Sequence, residues 1–371
     1  MPYFDHNATT PPHPAALAAW CETAEHSWQN PSSPYRGAAR AHALLEESRE
    51  QLARLVGGSP ENFVFTSGAT EANNAVFAHF ARVAPPGAQV AVSAIEHPSV
   101  LDAANNWFPG RVHLWPVNQA GVVPPIQMLA KSVMLVSVMA ANNETGVLQS
   151  WLENARRVRA AGVAFHCDAT QWLGKLPAGE LADCDFVTAS GHKFGGPKGV
   201  GFLKIPSGSD FHGQRGGGQE HNHRAGTENL PAIRAMVAAL AARTNAVAAN
   251  QAEWERARSA FESTLLAGLP GMVLVGAAVP RLWNTALFLP PRHANTRWVA
   301  ALDRRGFQIS TGSACATGHA GPSHVLAAMG LDADAARRAI RVSAGWETTA
   351  ADWSALAAAF VEVARELDAR R

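Results

Sequence analysis

Ser190-Gly191-His192-Lys193 places a hydroxyl, an imidazole and an amine within one short stretch, and Phe194-Gly195-Gly196-Pro197-Lys198-Gly199 follows directly. Glycines let backbone approach a ligand closely. An apolar run, Asp185-Phe186-Val187-Thr188-Ala189, precedes the group and reads as a buried strand; a second run, Val200 to Ile205, follows it. A lysine at the mouth of a buried strand loses solvation, its pKa falls, and the neutral amine becomes a nucleophile able to form a Schiff base with an aldehyde. Taken alone, the same stretch also fits a glycine-rich surface turn with a solvated lysine. Upstream, Asp168 ends another apolar run, Gly162 to Cys167. An aspartate at a strand end beside a Schiff-base lysine is the pair that pyridoxal 5'-phosphate (PLP) requires. The carboxylate keeps the pyridine nitrogen protonated, so the ring accepts electrons.

Other stretches offer chemistry of their own. Ser67-Gly68-Ala69-Thr70-Glu71 lies between a strand and a helix, where free amides and a hydroxyl bind phosphate. It also fits an ordinary helix cap with glutamate in the first turn. His97, in Glu96-His97-Pro98-Ser99, follows a strand, and a neutral imidazole suits proton handling as well as a structural role. Asn142-Asn143-Glu144-Thr145-Gly146 reads as a turn. Cys315 sits in Thr311-Gly312-Ser313-Ala314-Cys315-Ala316-Thr317-Gly318-His319-Ala320-Gly321, among residues too small to form core, and its loop is mobile by composition. An accessible thiol there points to reactivity. Cys21, Cys167 and Cys184 lack such a context and read as packing residues. Arg341, within Ile340-Arg341-Val342-Ser343, has a fork that fits a carboxylate, of a substrate or of a structural ion pair.

Elements that position these residues follow from periodicity. Helices are expected over Ala15–His26 and Ala38–Val56, the latter stopped by Gly57-Gly58. Strands at Phe63–Thr66, Gln89–Val92, Val112–Val117 and Val133–Met139 alternate with helices at Thr70–Arg82, His97–Asn106 and Leu152–Ala161. That alternation argues for an α/β domain around a mostly parallel sheet, with ligands at the carboxyl ends of its strands. Pro231 to Leu266 reads as one or two long helices leading to a second domain with strands at Met272–Val275, Thr285–Leu289 and Phe307–Ser310. Composition adds bounds. The chain has 371 residues, 47% hydrophobic and 16% charged, enough for a large core and a prior of two domains. A net charge of +1 favours neither nucleic acid nor anionic lipid as a partner. Four cysteines, no apolar leader and no run near 18 apolar residues lead to the expectation of a cytoplasmic, non-membrane protein without a metal site.

Asp168-Ala169-Thr170-Gln171 and Ser190-Gly191-His192-Lys193 together resemble the cysteine desulfurases of the class V aminotransferase group, and the likeness runs from Phe4-Asp5-His6-Asn7-Ala8-Thr9-Thr10-Pro11 to Ile340-Arg341-Val342-Ser343. The resemblance implies a fold type I PLP-dependent transferase, with a large domain over 15–250 and a smaller α+β domain from 1–14 and 251–371. It implies that Lys193 carries PLP, Asp168 meets the ring nitrogen, His97 stacks on the ring and shuttles protons, and Gln171 bonds the phenolic oxygen. Ala69, Thr70, Ser190, His192 and, from the neighbouring subunit of a homodimer, Thr227 would hold the phosphate. Asn143 and Arg341 would hold the substrate carboxylate, and Cys315 would accept sulfur from L-cysteine, leaving L-alanine. The Gly-Ser-Ala-Cys motif, its long loop and Pro322-Ser323 resemble the nitrogen-fixation and housekeeping type. That implies delivery of sulfur to an acceptor protein, either an iron–sulfur scaffold or a thiolation protein. Selenocysteine lyase, or another class V aminotransferase activity, is the alternative, and a PLP-less sulfur-relay scaffold is a further one. Three departures stand out: Tyr35 where the family has histidine, His221-Asn222-His223 after Gln219-Glu220, and the glycine-rich Gly318–Gly321. The lysine assignment is tested by borohydride reduction with PLP and peptide mapping. The label is expected on Lys193, and a label on Lys175 or Lys198 refutes it.

Overall fold

Short β-branched and aromatic runs separated by amphipathic segments set the architecture in the computed structural model, which describes residues 2–312 and 323–369. In chain order come α1 (Pro14–His26), α2 (Arg36–Val56), β1 (Phe63–Thr66), α3 (Ala69–Val83), β2 (Gln89–Ser93), α4 (Pro98–Trp107), β3 (Val112–Trp115), β4 (Val133–Ser137), α5 (Trp151–Ala160), β5 (Ala164–Asp168), β6 (Phe186–Ser190) and β7 (Gly201–Lys204). Then follow α6 (Leu230–Gly268), β8 (Val273–Leu274), β9 (Thr285–Leu289), α7 (Asn295–Asp303), β10 (Ser310–Thr311), α8 (His324–Ala328), α9 (Ala333–Arg338), β11 (Ile340–Ser343) and α10 (Ala350–Ala369).

Seven strands form one sheet in the order β1-β7-β6-β5-β4-β2-β3. The sheet is mostly parallel, as the alternation predicts, except that β7 runs antiparallel to both β1 and β6. The reason is the short link Gly191–Val200, because a parallel return needs a crossover of a dozen or more residues. Both faces are covered. Val136, Phe165, Val187 and Phe202 pack toward α2 and α6, whereas Val90, Leu135, Phe186 and Leu203 pack toward α3 and α4. A fully buried sheet carries near-continuous apolar strands, which is how β1, β4 and β6 read.

A second sheet, antiparallel throughout, has the order β10-β11-β9-β8. Its β10 begins at Ser310, three residues later than the sequence suggests, because Tyr3 bridges to Gln308 and takes up that part of the run. α6 is one unbroken helix that serves both cores: Ile233, Met236 and Leu240 lie in the first, Phe261 and Leu265 in the second. The expected domain boundary at 250/251 falls inside it. Its length and apolarity are those of a buried core helix rather than evidence for a membrane span. The N-terminal segment inserts Phe4 into the second core, and Asp5 bridges to Ser343 of β11.

The topology creates the site. From β2 the chain passes to β3 on one side and then to β4 on the other, so the connections beyond the carboxyl ends of β2 and β4 diverge and leave a crevice. Backbones approach closely beside it at Gly201, where an added Cβ would lie 2.3 Å from Ala189 O and 2.6 Å from Gly68 Cα. Backbone cannot yield as a flexible side chain can. Gly201→Ala is therefore expected to lower the urea midpoint well beyond Gly162→Ala. At Gly162 φ is +74° and nothing lies within 4 Å, so only backbone strain of about 1 kcal/mol applies. Equal midpoints would refute the packing argument.

Candidate active site

A cavity of about 270 Å³ opens at this crevice, walled by α3, the segments after β2, β4, β5 and β6, the N-terminal segment and β11. Ten of the expected site residues line it: Ala69, Thr70, His97, Asn143, Asp168, Gln171, Ser190, His192, Lys193 and Arg341. Thr227 does not; it is exposed on the loop before α6. Cys315 lies outside the described residues. Cys167 and Cys184 are buried, in line with packing roles, but Cys21 is exposed and the packing assignment fails for it. It lines a larger groove of about 790 Å³ beside Leu17 and Trp20, which meets the site only at His192. Its helix, α1, turns only Ala16 and Thr23 fully inward, so Cys21 falls on the outer side.

One end of the cavity is built for an anion. Gly68 starts α3, no side chain caps that helix, and Ala69 N donates to Ser190 Oγ at 2.8 Å. His192 Nδ1 lies 3.0 Å from Thr9 Oγ1. Burial, with help from Lys193 and Lys198, lowers the His192 pKa to about 4, so the ring is neutral at neutral pH. Lys193 follows β6 in a single 3-10 turn, and its Nζ donates to Asn7 O at 2.7 Å and Ala8 O at 2.8 Å.

At the other end Asp168, the last residue of β5, accepts from Asn73 Nδ2 at 3.0 Å and from Thr170 N at 2.9 Å. His97 caps α4, its Nδ1 accepting from Ser99 N at 3.1 Å. Burial lowers its pKa; Lys193 and His324 act in the same direction, against Asp168 and Asp102. Arg341 is buried and already engaged: Nη2 donates to Asp5 Oδ1 at 2.7 Å and Nη1 to Asn143 O at 3.1 Å. Its Nε is buried without a hydrogen-bond partner among the described residues.

Several residues that sequence reasoning passed over hold this arrangement. Asn7 accepts from Lys193 and from Gln171 Nε2 (3.0 Å) at its backbone oxygen, and from Lys175 Nζ (2.9 Å) at its side chain. Lys175 also donates to Gln171 Oε1, which turns the Gln171 amide nitrogen away from Lys175. Burial, then Lys193, Arg341 and Arg243, put the Lys175 pKa well below that of a free lysine. Glu96 is fully buried with its pKa well raised by burial and by Asp168. A polar residue spaced to face inward on an apolar helix, as Asn73 is in α3, is the one local signal that could have revealed any of them.

The walls fit PLP. Thr170 Oγ1 is a buried orphan among the lining residues, amides and hydroxyls converge at the α3 end, and a carboxylate stands at the β5 end. Residues 2–356 match the aminotransferase class-V family. A cysteine desulfurase of Rhodobacter capsulatus is 38% identical, covering 98% of this chain and 97% of its own. The cysteine desulfurase IscS of Dictyoglomus turgidum is 33% identical, covering 94% and 91%. The solved structure of a NifS-like protein superposes with a TM-score of 0.89 at 29% identity over 98% of this chain and 99% of that one.

Glu144 supplies a pH test of the site's edge. Burial raises its pKa from 4.5 to about 7, against the opposing effects of Ser323, whose Oγ donates at 2.6 Å, and Arg341. The folded chain therefore holds this proton more tightly than the unfolded chain. Its stabilising effect is complete below about pH 4.5 and is lost as pH rises through 7, with a slope of up to about 1.4 kcal/mol per pH unit. In urea titrations, the unfolding free energy of the wild type minus that of Glu144→Gln should fall across this window. A flat difference would refute a buried, protonated Glu144.

Proposed function

The chain belongs to the class V aminotransferases and is a PLP-dependent cysteine desulfurase, and from that premise we propose that Lys193, Asp168, His97 and Cys315 carry its reaction. The observation that supports the roles of Lys193, Asp168 and His97 is the meeting of ten candidate residues, drawn from distant parts of the chain, around one cavity. Bound PLP supplies an aldehyde that captures an amine and a ring that accepts the electron pair left at the substrate Cα. Ala69, Thr70, Ser190 and His192 would hold its phosphate. Asp168 would hold the proton at its ring nitrogen, and Gln171 would donate to its phenolic oxygen.

Lys193 Nζ moves the proton at the substrate Cα. Its two carbonyl partners, Asn7 O and Ala8 O, accept its N–H groups and so keep the nitrogen aimed along the cavity wall. Arg341 and Asn143 orient the substrate carboxylate, for which the buried Arg341 Nε is a ready donor. His97 lines the same cavity and would hold a proton beside the cofactor ring and the reacting atoms. The Cys315 thiolate attacks the substrate sulfur. An S–S bond forms while the Cβ–S bond breaks, its electron pair going to Cβ, which takes a proton to complete L-alanine. The sulfur leaves as a Cys315 persulfide for an acceptor protein, an iron–sulfur scaffold or a thiolation protein.

The proposal extends to a cytoplasmic homodimer in which Thr227 reaches the neighbouring subunit's phosphate. Its exposure, away from its own cavity, supports that reading.

Mass spectrometry after incubation with L-cysteine should find added sulfur on Cys315. Cys315→Ser should still change the PLP absorbance on adding L-cysteine, yet form neither persulfide nor L-alanine. Sulfur on Cys21, Cys167 or Cys184, or normal turnover by Cys315→Ser, overturns the proposal. Faster release of L-alanine from L-selenocysteine would favour the lyase alternative.

A further inference from the structure

We propose that His97 enters the reaction as a neutral imidazole with its proton on Nε2, a hydrogen-bond donor there rather than a base, and that Ser99 and Asn73 are the positioning residues that set this tautomer. The inference rests on the reading of His97 as the residue over the cofactor ring. It follows from which atoms have a choice of role and which have none. A backbone N–H can only donate, and Ser99 N lies 3.1 Å from His97 Nδ1. Ser99 Oγ lies 2.8 Å from the same nitrogen. That hydroxyl accepts from Asn73 Nδ2 at 2.9 Å, and an amide NH2 also can only donate. Accepting there leaves the hydroxyl's own proton available to Nδ1, beside the backbone donor. Two donors converge on Nδ1, so it carries no proton of its own.

Asn73 cannot reverse these roles by flipping. Its Nδ2 also donates to Asp168 Oδ2 at 3.0 Å, and its Oδ1 accepts from Thr188 Oγ1 at 2.6 Å. A flipped amide would set its oxygen against the Asp168 carboxyl. The chain continues with the same polarity. Thr188 Oγ1, having given its proton to Asn73, accepts from His166 Nε2 at 3.2 Å, and His166 Nδ1 accepts from Ser137 Oγ at 2.8 Å. Asn73, Thr188, His166 and Ser137 are each fully buried, so water does not offer them another partner.

The opposite tautomer would place Nδ1–H against Ser99 N–H and remove the cap of α4. An imidazolium meets the same conflict, and the positive end of the helix disfavours it as well. The charged groups around the ring do not reverse this: Lys193 and His324 oppose a positive charge, and Asp168 and Asp102 favour one less than burial disfavours it. His97 is thus poised to stabilise negative charge on a reacting atom by donation. It does not take a proton at Nε2 while Ser99 holds Nδ1.

The test uses PLP-loaded protein labelled with 15N-histidine, read by long-range 1H–15N correlation at pH 7.5, with the His97 signals assigned by their absence in His97→Gln. The wild type should show His97 as the Nε2–H tautomer. Ser99→Ala and Asn73→Leu should show mixed tautomers and a kcat lower by about tenfold with KM for L-cysteine little changed. Ser99→Thr, which keeps the hydroxyl, should restore both. An Nδ1–H tautomer or an imidazolium in the wild type overturns the proposal. A pure Nε2–H signal with undiminished kcat in Ser99→Ala and Asn73→Leu overturns the positioning roles. Full turnover by His97→Gln with the expected wild-type tautomer is a separate failure: it overturns the reading of His97 as a reaction residue.

Discussion

Asn7 is the contact on which both sheets and the site depend. It is 1% exposed, and every polar group it has is used. Its N–H donates to Ser343 Oγ of β11, and its Nδ2 to Thr285 Oγ1 of β9 and Asn143 O. Its backbone oxygen receives Lys193 and Gln171, and its side-chain oxygen receives Lys175 and Asn284. One buried amide therefore ties the second sheet to the carboxyl ends of the first, and ties both to the amine proposed to do the chemistry. A fully satisfied buried network specifies one geometry, because any displacement leaves several donors or acceptors unpaired at once. A short N-terminal segment, too small to fold alone, thus becomes part of the cavity wall by lying between the two sheets.

The charges around the cavity are arranged for an anionic guest. Lys193, Lys175 and Arg341 bring donors that carry or can carry positive charge, and Arg341 is bonded to the Asp5 carboxylate. Two buried carboxyls near the cavity, apart from Asp168, are muted. Burial raises the pKa of Glu144 to about 7 and that of Glu96 well above its ordinary value. The histidines are muted in the opposite sense, His192 to about 4 and His6 to about 3, chiefly by burial. A phosphate, a phenolic oxygen and a substrate carboxylate would fill this imbalance. The depressed Lys175 pKa is the cost of preparing the site before they arrive.

Much of this was legible in the sequence, for reasons that also mark the limit. β1, β5 and β6 are runs buried on both faces, so apolar composition alone reveals them, and Asp168, His97 and Lys193 are found by their place at the ends of such runs. The direction of β7 required counting the residues in the link from β6. Asn7, Lys175 and Ser99 left no such mark, because their roles arise only where the chain returns on itself: Lys175 meets Asn7 across 168 positions. The Asp5 partner of Arg341 was hidden in the same way. A fork between apolar neighbours announces that a carboxylate is needed, without announcing whose it is.

The departure at His221-Asn222-His223 has a physical account in the loop's backbone. Glu220, His221 and Asn222 all have positive φ, at 48°, 53° and 70°, a conformation that costs non-glycine residues energy. What holds them there is Glu220. Its carboxylate accepts from Arg49 Nη1 at 2.7 Å, Arg49 Nη2 at 3.1 Å and Phe65 N at 2.7 Å, with both side chains of the ion pair almost fully buried. A buried pair of this kind contributes little net stability against its hydrophobic replacement, yet breaking it leaves a charge stranded, so it defines position more than it adds strength. The position it defines is that of the loop leading to Thr227, pinned to β1. The far end of β1 runs into Gly68 and the amides of α3. One strand therefore holds both the Glu220 loop and the start of α3 at the cavity.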